Sequence, residues 1–209
     1  AHPIVPKFEG SDEVSLFTIR NVVDIDKINQ YLKNNNIKDV AVIGGGFIGV
    51  EAAENLQDGG YNVSLVEAGN QILRPFDYDM VQILHKEIYD KGIDLIVEDK
   101  VEKFEKDTVV LSSGRKVRAQ AVIMAIGVAP ETKLAEDSDI ELGETRAIKV
   151  DSNYKTNDED IYAVGDAIEV YNSLTHSYTK LSLAGPAQKQ ARNVADHINN
   201  KSTLNRGYI

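Results

Sequence analysis

The segment Gly44-Gly45-Gly46-Phe47-Ile48-Gly49 follows the apolar run Val40-Ala41-Val42-Ile43, and Glu67 stands eighteen residues after Gly49. Glycines at this spacing, between a strand and a helix, suit a backbone that must come close to a diphosphate. Gly44 permits the tight turn, Gly46 allows the approach, and Gly49 lets helix and strand pack closely. The unpaired N–H groups and positive dipole end of the helix then favour an anion without any lysine. The candidate contacts are therefore Gly44, Gly45, Gly46, Phe47, Ile48 and Gly49. Glu67, at the end of the next strand, would accept hydrogen bonds from an adenosine ribose and repel a 2′-phosphate, which favours NADH over NADPH. Arg74, seven residues on, has the charge to oppose that preference, although an arginine in a loop is more often simply solvated.

The elements that must position these residues are legible in the hydrophobic pattern. Ile48, Ala52 and Leu56 recur at helical spacing after the glycines, and Gly59-Gly60 ends that helix. Tyr61, Val63, Leu65 and Val66 form the next strand, which completes the βαβ context that a glycine fingerprint requires. Upstream, Asp24 is a good N-cap for a helix carrying Ile25, Ile28 and Leu32. Downstream, a helix from about Asp79 carries Met80, Leu84 and Ile88 and closes at Gly92, before a third strand over 94–97. Residues 101–105, 108–111 and 116–118 read as a β-meander that replaces a crossover helix. The sheet resumes at 121–126 and ends at Gly127, which faces the dinucleotide if strand carboxyl ends line the crevice, or is simply a turn glycine.

From Ala147 the pattern changes to short strands, including Ile161-Tyr162-Ala163-Val164. A helix then opens at Gly185-Pro186, with Ala187, Ala191, Val194 and Ile198 on one face. The strand-like Leu16-Phe17-Thr18-Ile19 reads as outside the nucleotide domain. The fold class is therefore α/β: a Rossmann-like NAD-binding domain over 24–146, with a parallel sheet and a β-meander crossover. It is inserted in part of a second α/β domain formed by 1–23 and 147–209.

Composition narrows the function classes. Of 209 residues, 33 are acidic and 23 basic, and the net charge of −10 opposes binding to nucleic acid or anionic membrane. No apolar run approaches the ~18 residues of a membrane span, and no signal-peptide pattern opens the chain, so the expected location is the cytoplasm. With no cysteine there is neither a disulfide nor a thiolate centre in this chain. The four histidines, His2, His85, His176 and His197, show no ligand spacing and are expected on exposed faces, and no metal is expected.

Four segments, HPIVP, VAVIGGGFIGVEAAENL, IYAVGDA and LSLAGPAQKQAR, occur in an order and spacing that resemble the pyridine nucleotide-disulfide oxidoreductases. The resemblance is to the branch of CoA-disulfide reductases, NADH oxidases and NADH peroxidases. It implies an FAD domain, an inserted NAD domain and a C-terminal dimerisation domain, with NADH reducing flavin and flavin reducing a cysteine-based centre. The acceptor would be a small molecule: CoA disulfide, dioxygen or peroxide. On this reading the chain begins after the first FAD half and stops before the dimerisation domain of a homodimer.

Carried over by position, the resemblance makes Gly165 and Asp166 ligands of the FAD ribityl chain and brings Leu183, Ala184 and Gly185, at a helix N-terminus, to the flavin pyrimidine. Glu51 resembles a glutamate that pairs with a lysine near flavin N5, although a glutamate in a first helical turn also suits the dipole alone. Phe47 occupies the position of an aromatic ring that shields the flavin until nicotinamide displaces it. Ala129, Gln188 and Ala191 depart from the usual arginine, asparagine and glycine, which weakens the choice of branch. Two other readings stay open: a reductase that passes electrons to a small redox protein, and a non-catalytic NAD-binding sensor module.

Overall fold

The computed structural model describes residues 1–201 and 207–208. The chain forms two compact units, Pro3–Val128 and a second contributed by Ala1–His2 and Ala129–Ile209. In chain order the elements are β1 (His2–Pro3), β2 (Ser15–Thr18), α1 (Val22–Asn34), β3 (Asp39–Ile43), α2 (Phe47–Asp58), β4 (Asn62–Val66), α3 (Tyr78–Asp90) and β5 (Asp94–Ile96). They continue with β6 (Val101–Glu105), β7 (Thr108–Leu111), β8 (Lys116–Arg118), β9 (Ala121–Met124), β10 (Val128–Ala129), α4 (Lys133–Glu136), β11 (Val170–Asn172), β12 (Ser177–Thr179) and α5 (Ala184–Ile198).

The first unit is built on a parallel sheet of order β2-β9-β3-β4-β5, with β6, β7 and β8 as a separate antiparallel meander. Period-two alternation sorts the strand residues between two cores. Val40, Val42, Leu65 and Ile123 join Leu32, Ala52, Leu56 and Ile88 of the helices. Ala41, Ile43, Val66 and Val122 join Phe104, Val109, Leu111 and Val117 of the meander. Strands covered on both faces must be apolar throughout, hence the unbroken runs in the sequence. Each such side chain contributes roughly 1.5–3 kcal/mol on burial. Half-exposed rim pairs such as Arg115–Asp94, at 2.7 Å, are worth at most ~1 kcal/mol, so packing holds the sheet.

Two expectations are corrected here. The segment expected outside the nucleotide domain supplies β2, the edge strand of its sheet, paired in parallel register Leu16↔Val122 and Phe17↔Ile123. Phe17 packs on the helix-side core, its ring 5.1 Å from that of Tyr31, while Leu16 packs on the meander side. At the other end, residues 129–146 belong to the second compact unit rather than the first. Thr145 donates through its N–H and Oγ1 to Glu169, 3.1 Å in each case, and Glu169 is buried. A parallel edge strand and a loop tied to a distant carboxylate leave no local sign in the sequence.

Smaller differences concern single residues and short segments. Asn21 rather than Asp24 caps α1, and Asp24 answers from the third position to complete a capping box. His85, expected on an exposed face, is buried on α3. In the second unit the core gathers Tyr154, Ile168 and Val170 with Ile148, Val150, Leu181 and Val194. Residues 161–164 form no strand, only a bridge between Tyr162 and Lys155. Helix α5 starts at Ala184, and Ala191 and Ile198 point to solvent while Gln190 is buried in their place. Among the described residues no helix is long and apolar enough to cross a membrane.

Candidate functional site

At the carboxyl ends of β3 and β4 the chain turns twice, and the two turns hold each other. Gly44 adopts φ +109°, and a Cβ there would lie 2.4 Å from the Ala125 carbonyl oxygen. Gly49 brings α2 so close that a Cβ would meet the Gly44 carbonyl oxygen at 1.8 Å. Gly46 differs: it is the N-cap of α2, with extended backbone, no side-chain cap and open space where a Cβ would stand. Its lack of a side chain is therefore not demanded by the protein's own packing.

Glu67, half-buried, is gripped from both sides. Its Oε2 accepts the Gly45 N–H and its Oε1 the Gly69 N–H, each at 2.7 Å. The loop beyond it closes on the glycine turn through the Leu73 N–H, which donates to the Gly45 carbonyl at 2.7 Å. The Ile72 N–H in the same loop donates to Nε2 of His85 at 3.3 Å. Burial of His85 pushes its imidazole below the ordinary value of 6.5, which keeps it neutral and able to accept that bond.

A cleft of about 540 Å³ results, lined by Gly44, Gly45, Gly46, Phe47, Glu67 and Gly127 among the expected residues. Gly127, at φ +119°, accepts the Ile4 N–H at 3.0 Å through its carbonyl. Phe47 is 59% exposed and meets Phe76 edge to face, with ring centroids 6.1 Å apart. Gly49 lies beneath the turn. Ile48 and Glu51 do not line this cleft: they face a neighbouring groove of about 580 Å³ with Ile19, Ile25 and Asn55. There the Glu51 carboxylate accepts from Asn55 Nδ2 at 3.2 Å.

The cleft residues that sequence reasoning missed include Phe8, Asp99 and Lys100, and it left Arg74 undecided; Arg74 lines the cleft too. Burial alone would raise the Asp99 carboxyl, but Ser112 Oγ, Ser113 Oγ and the N–H groups of Ser113 and Lys100 donate to it and hold it below the usual range. Its only sign in the sequence was the Ser112-Ser113 pair, which falls between two strands of the meander.

In the second unit, Gly165, Asp166 and Ala167 form a 3-10 turn with Gly165 at φ +75°. The Asp166 carboxylate has no hydrogen bond or ion pair among the described residues. Leu183 is the N-cap of α5 and gives it no side-chain cap, and Leu183, Ala184 and Gly185 are exposed.

Sheet, glycine turn and acidic strand end together define a Rossmann-type α/β protein. The chain belongs to the pyridine nucleotide-disulphide oxidoreductase family, whose model matches residues 1–191. It is 35% identical over 202 residues to an NADH oxidase of Methanocaldococcus jannaschii, covering 95% of this chain and 45% of that protein. It is 33% identical to an NAD(P)H sulfur oxidoreductase (CoA-dependent) of Pyrococcus abyssi, covering 96% of this chain and 46% of that protein. The crystal structure of reduced Bacillus anthracis CoADR-RHD superposes with a TM-score of 0.93 at 42% identity, over 99% of this chain and 38% of that one. The chain thus spans about half the length of the curated relatives it matches.

Proposed function

We propose that this chain supplies the NADH-binding part, and segments of the FAD-binding part, of an FAD-dependent oxidoreductase. In it NADH reduces the flavin, and the flavin reduces a cysteine-based centre acting on CoA disulfide, dioxygen or peroxide. The parent protein is a cytoplasmic homodimer on this reading. The names and activities of the relatives support the class.

The observation that carries the reading is the cleft itself: an uncapped helix N-terminus, open space at Gly46 and a carboxylate fixed between two backbone N–H groups. These residues fit a dinucleotide. A carboxylate has about four lone-pair sites, so two remain on Glu67 for ribose hydroxyls after Gly45 and Gly69 have taken theirs. Gly45, Gly46, Phe47 and the first turn of α2 would hold the diphosphate, with Gly44 and Gly49 setting the turn and Gly127 at the rim. Ile48 and Glu51 stand in the adjoining groove, where Glu51 would orient the nicotinamide, and Phe47 would cover the flavin until nicotinamide arrives.

For the flavin, the Asp166 carboxylate beside Gly165, unpaired among the described residues, fits a ribityl hydroxyl. The bare N-terminus of α5 at Leu183, Ala184 and Gly185 fits a ring edge that gains negative charge on reduction. When bound, NADH and FAD supply hydride transfer, while the protein's part is alignment and electrostatics.

Titration of the isotope-labelled chain with NADH tests the reading. Saturable shifts of the Gly45, Gly46 and Gly69 amide resonances are expected. A spectrum unmoved by millimolar NADH sinks it.

A further inference from the structure

Two of the motif segments in the second unit are joined by one buried amide. Gln190 is 1% exposed. Its Oε1 accepts the Gly165 N–H at 2.6 Å, and its Nε2 donates to the Tyr208 hydroxyl at 2.8 Å. That hydroxyl lies 3.0 Å from the hydroxyl of Tyr154, itself buried.

The direction of the two amide bonds is forced. A backbone N–H can only donate, so the amide oxygen must face Gly165. Nε2 then donates to Tyr208, which leaves the Tyr208 and Tyr154 hydroxyls to share the last bond, in which either can be the donor. Burial, followed by the Tyr208 contact, raises the Tyr154 phenol, which therefore stays protonated and keeps the relay intact. A buried polar chain of this kind rigidifies its surroundings only when every member is satisfied.

What it rigidifies is the 165–167 turn. Gln190 holds one end at the Gly165 N–H, and the Ile148 N–H holds the other at the Ala167 carbonyl, 2.8 Å away. Between the two anchors stands Asp166, whose carboxylate is unpaired among the described residues.

We propose that Gln190 is a positioning residue for the flavin: by fixing the Gly165 amide it aims the Asp166 carboxylate at a ribityl hydroxyl. Tyr208 and Tyr154 fix the orientation of the Gln190 amide in turn. The inference rests on the flavin reading of Asp166 given above.

The test is a double-mutant cycle on FAD affinity in the full-length holoenzyme, using Q190L, D166N and the pair, with Q190E as the conservative variant. Q190L should raise the FAD dissociation constant about tenfold in the wild-type background, the worth of one hydrogen bond. In the D166N background it should change it by less than about twofold, because the two residues act as one unit. Q190E, which still accepts from Gly165, should restore most of the affinity.

A Q190L effect of equal size in both backgrounds would mean a merely structural role and overturns the proposal, as does no effect of Q190L where D166N has one. If Q190L does not fold, Y208F, which unlocks the amide without emptying the site, must show the same dependence on Asp166 or the proposal fails. A wild-type holoenzyme without flavin would instead defeat the functional reading itself, and D166N with undiminished affinity would defeat the role of Asp166; either result takes this inference with it.

Discussion

Gly46 and Gly49 look alike in the sequence and differ in what a methyl group would meet. At Gly46 the backbone is in the extended region and nothing lies within 4 Å, so G46A should change stability by less than ~0.5 kcal/mol, like an ordinary surface substitution. It should nevertheless weaken NADH binding strongly, because the methyl would enter the open space proposed for the diphosphate. At Gly49 the methyl would meet the Gly44 carbonyl oxygen, so G49A should cost ~1–3 kcal/mol, the usual range for overpacking. Urea unfolding and NADH titration of both variants separate the two kinds of glycine. For Glu67, replacement by alanine should lower the preference for NADH over NADPH, since ribose bonds and charge repulsion vanish together. Competition between the two nucleotides measures it, and an unchanged ratio would place the preference in other residues of the cleft. The tight turn at Gly44, the close packing at Gly49 and the strand-end position of Glu67 were legible because each follows from local geometry in a βαβ unit. Those of Asp99 and Lys100 were not, because their place in the cleft depends on how the meander folds back over the sheet.

At the scale of elements, α3 is tied to the loop after Glu67 by the bond from the Ile72 N–H to His85. The imidazole titrates below 6.5 in the folded chain and near 6.5 in the unfolded one. Above pH 6.5 both states are neutral and the stabilisation is fully present. As pH falls below 6.5 the unfolded state takes up the proton first, so stability is lost progressively until the folded pKa is reached. The urea midpoint should therefore fall between pH 7.5 and pH 5.5, and His85→Gln, which can still accept from Ile72, should flatten that slope. An equal slope in both proteins would place the proton elsewhere. Helical periodicity gave α3 and its span to within two residues, but it took Met80 and Leu84 for the inward face, where Val81 and His85 are the buried residues. The position of His85 on the inward face is decided by the loop that packs there.

For the whole molecule, the division of the chain is the point on which sequence and structure part. The sheet of the first unit includes β2, so a fragment of residues 3–128 should unfold cooperatively and keep NADH binding. A fragment of residues 24–146 lacks the edge strand, uncovers β9 and should melt lower or not fold; calorimetry of the two decides. What the sequence alone determined was the βαβ turn, the acidic strand end, the meander and the family, because each is written in residues close together along the chain. Which distant segments complete each unit was decided only in three dimensions: Leu16 and Phe17 beside Val122 and Ile123, Thr145 on Glu169, Gln190 on Gly165. Parallel pairing and buried polar contacts join residues tens of positions apart, and no local spacing or propensity encodes them.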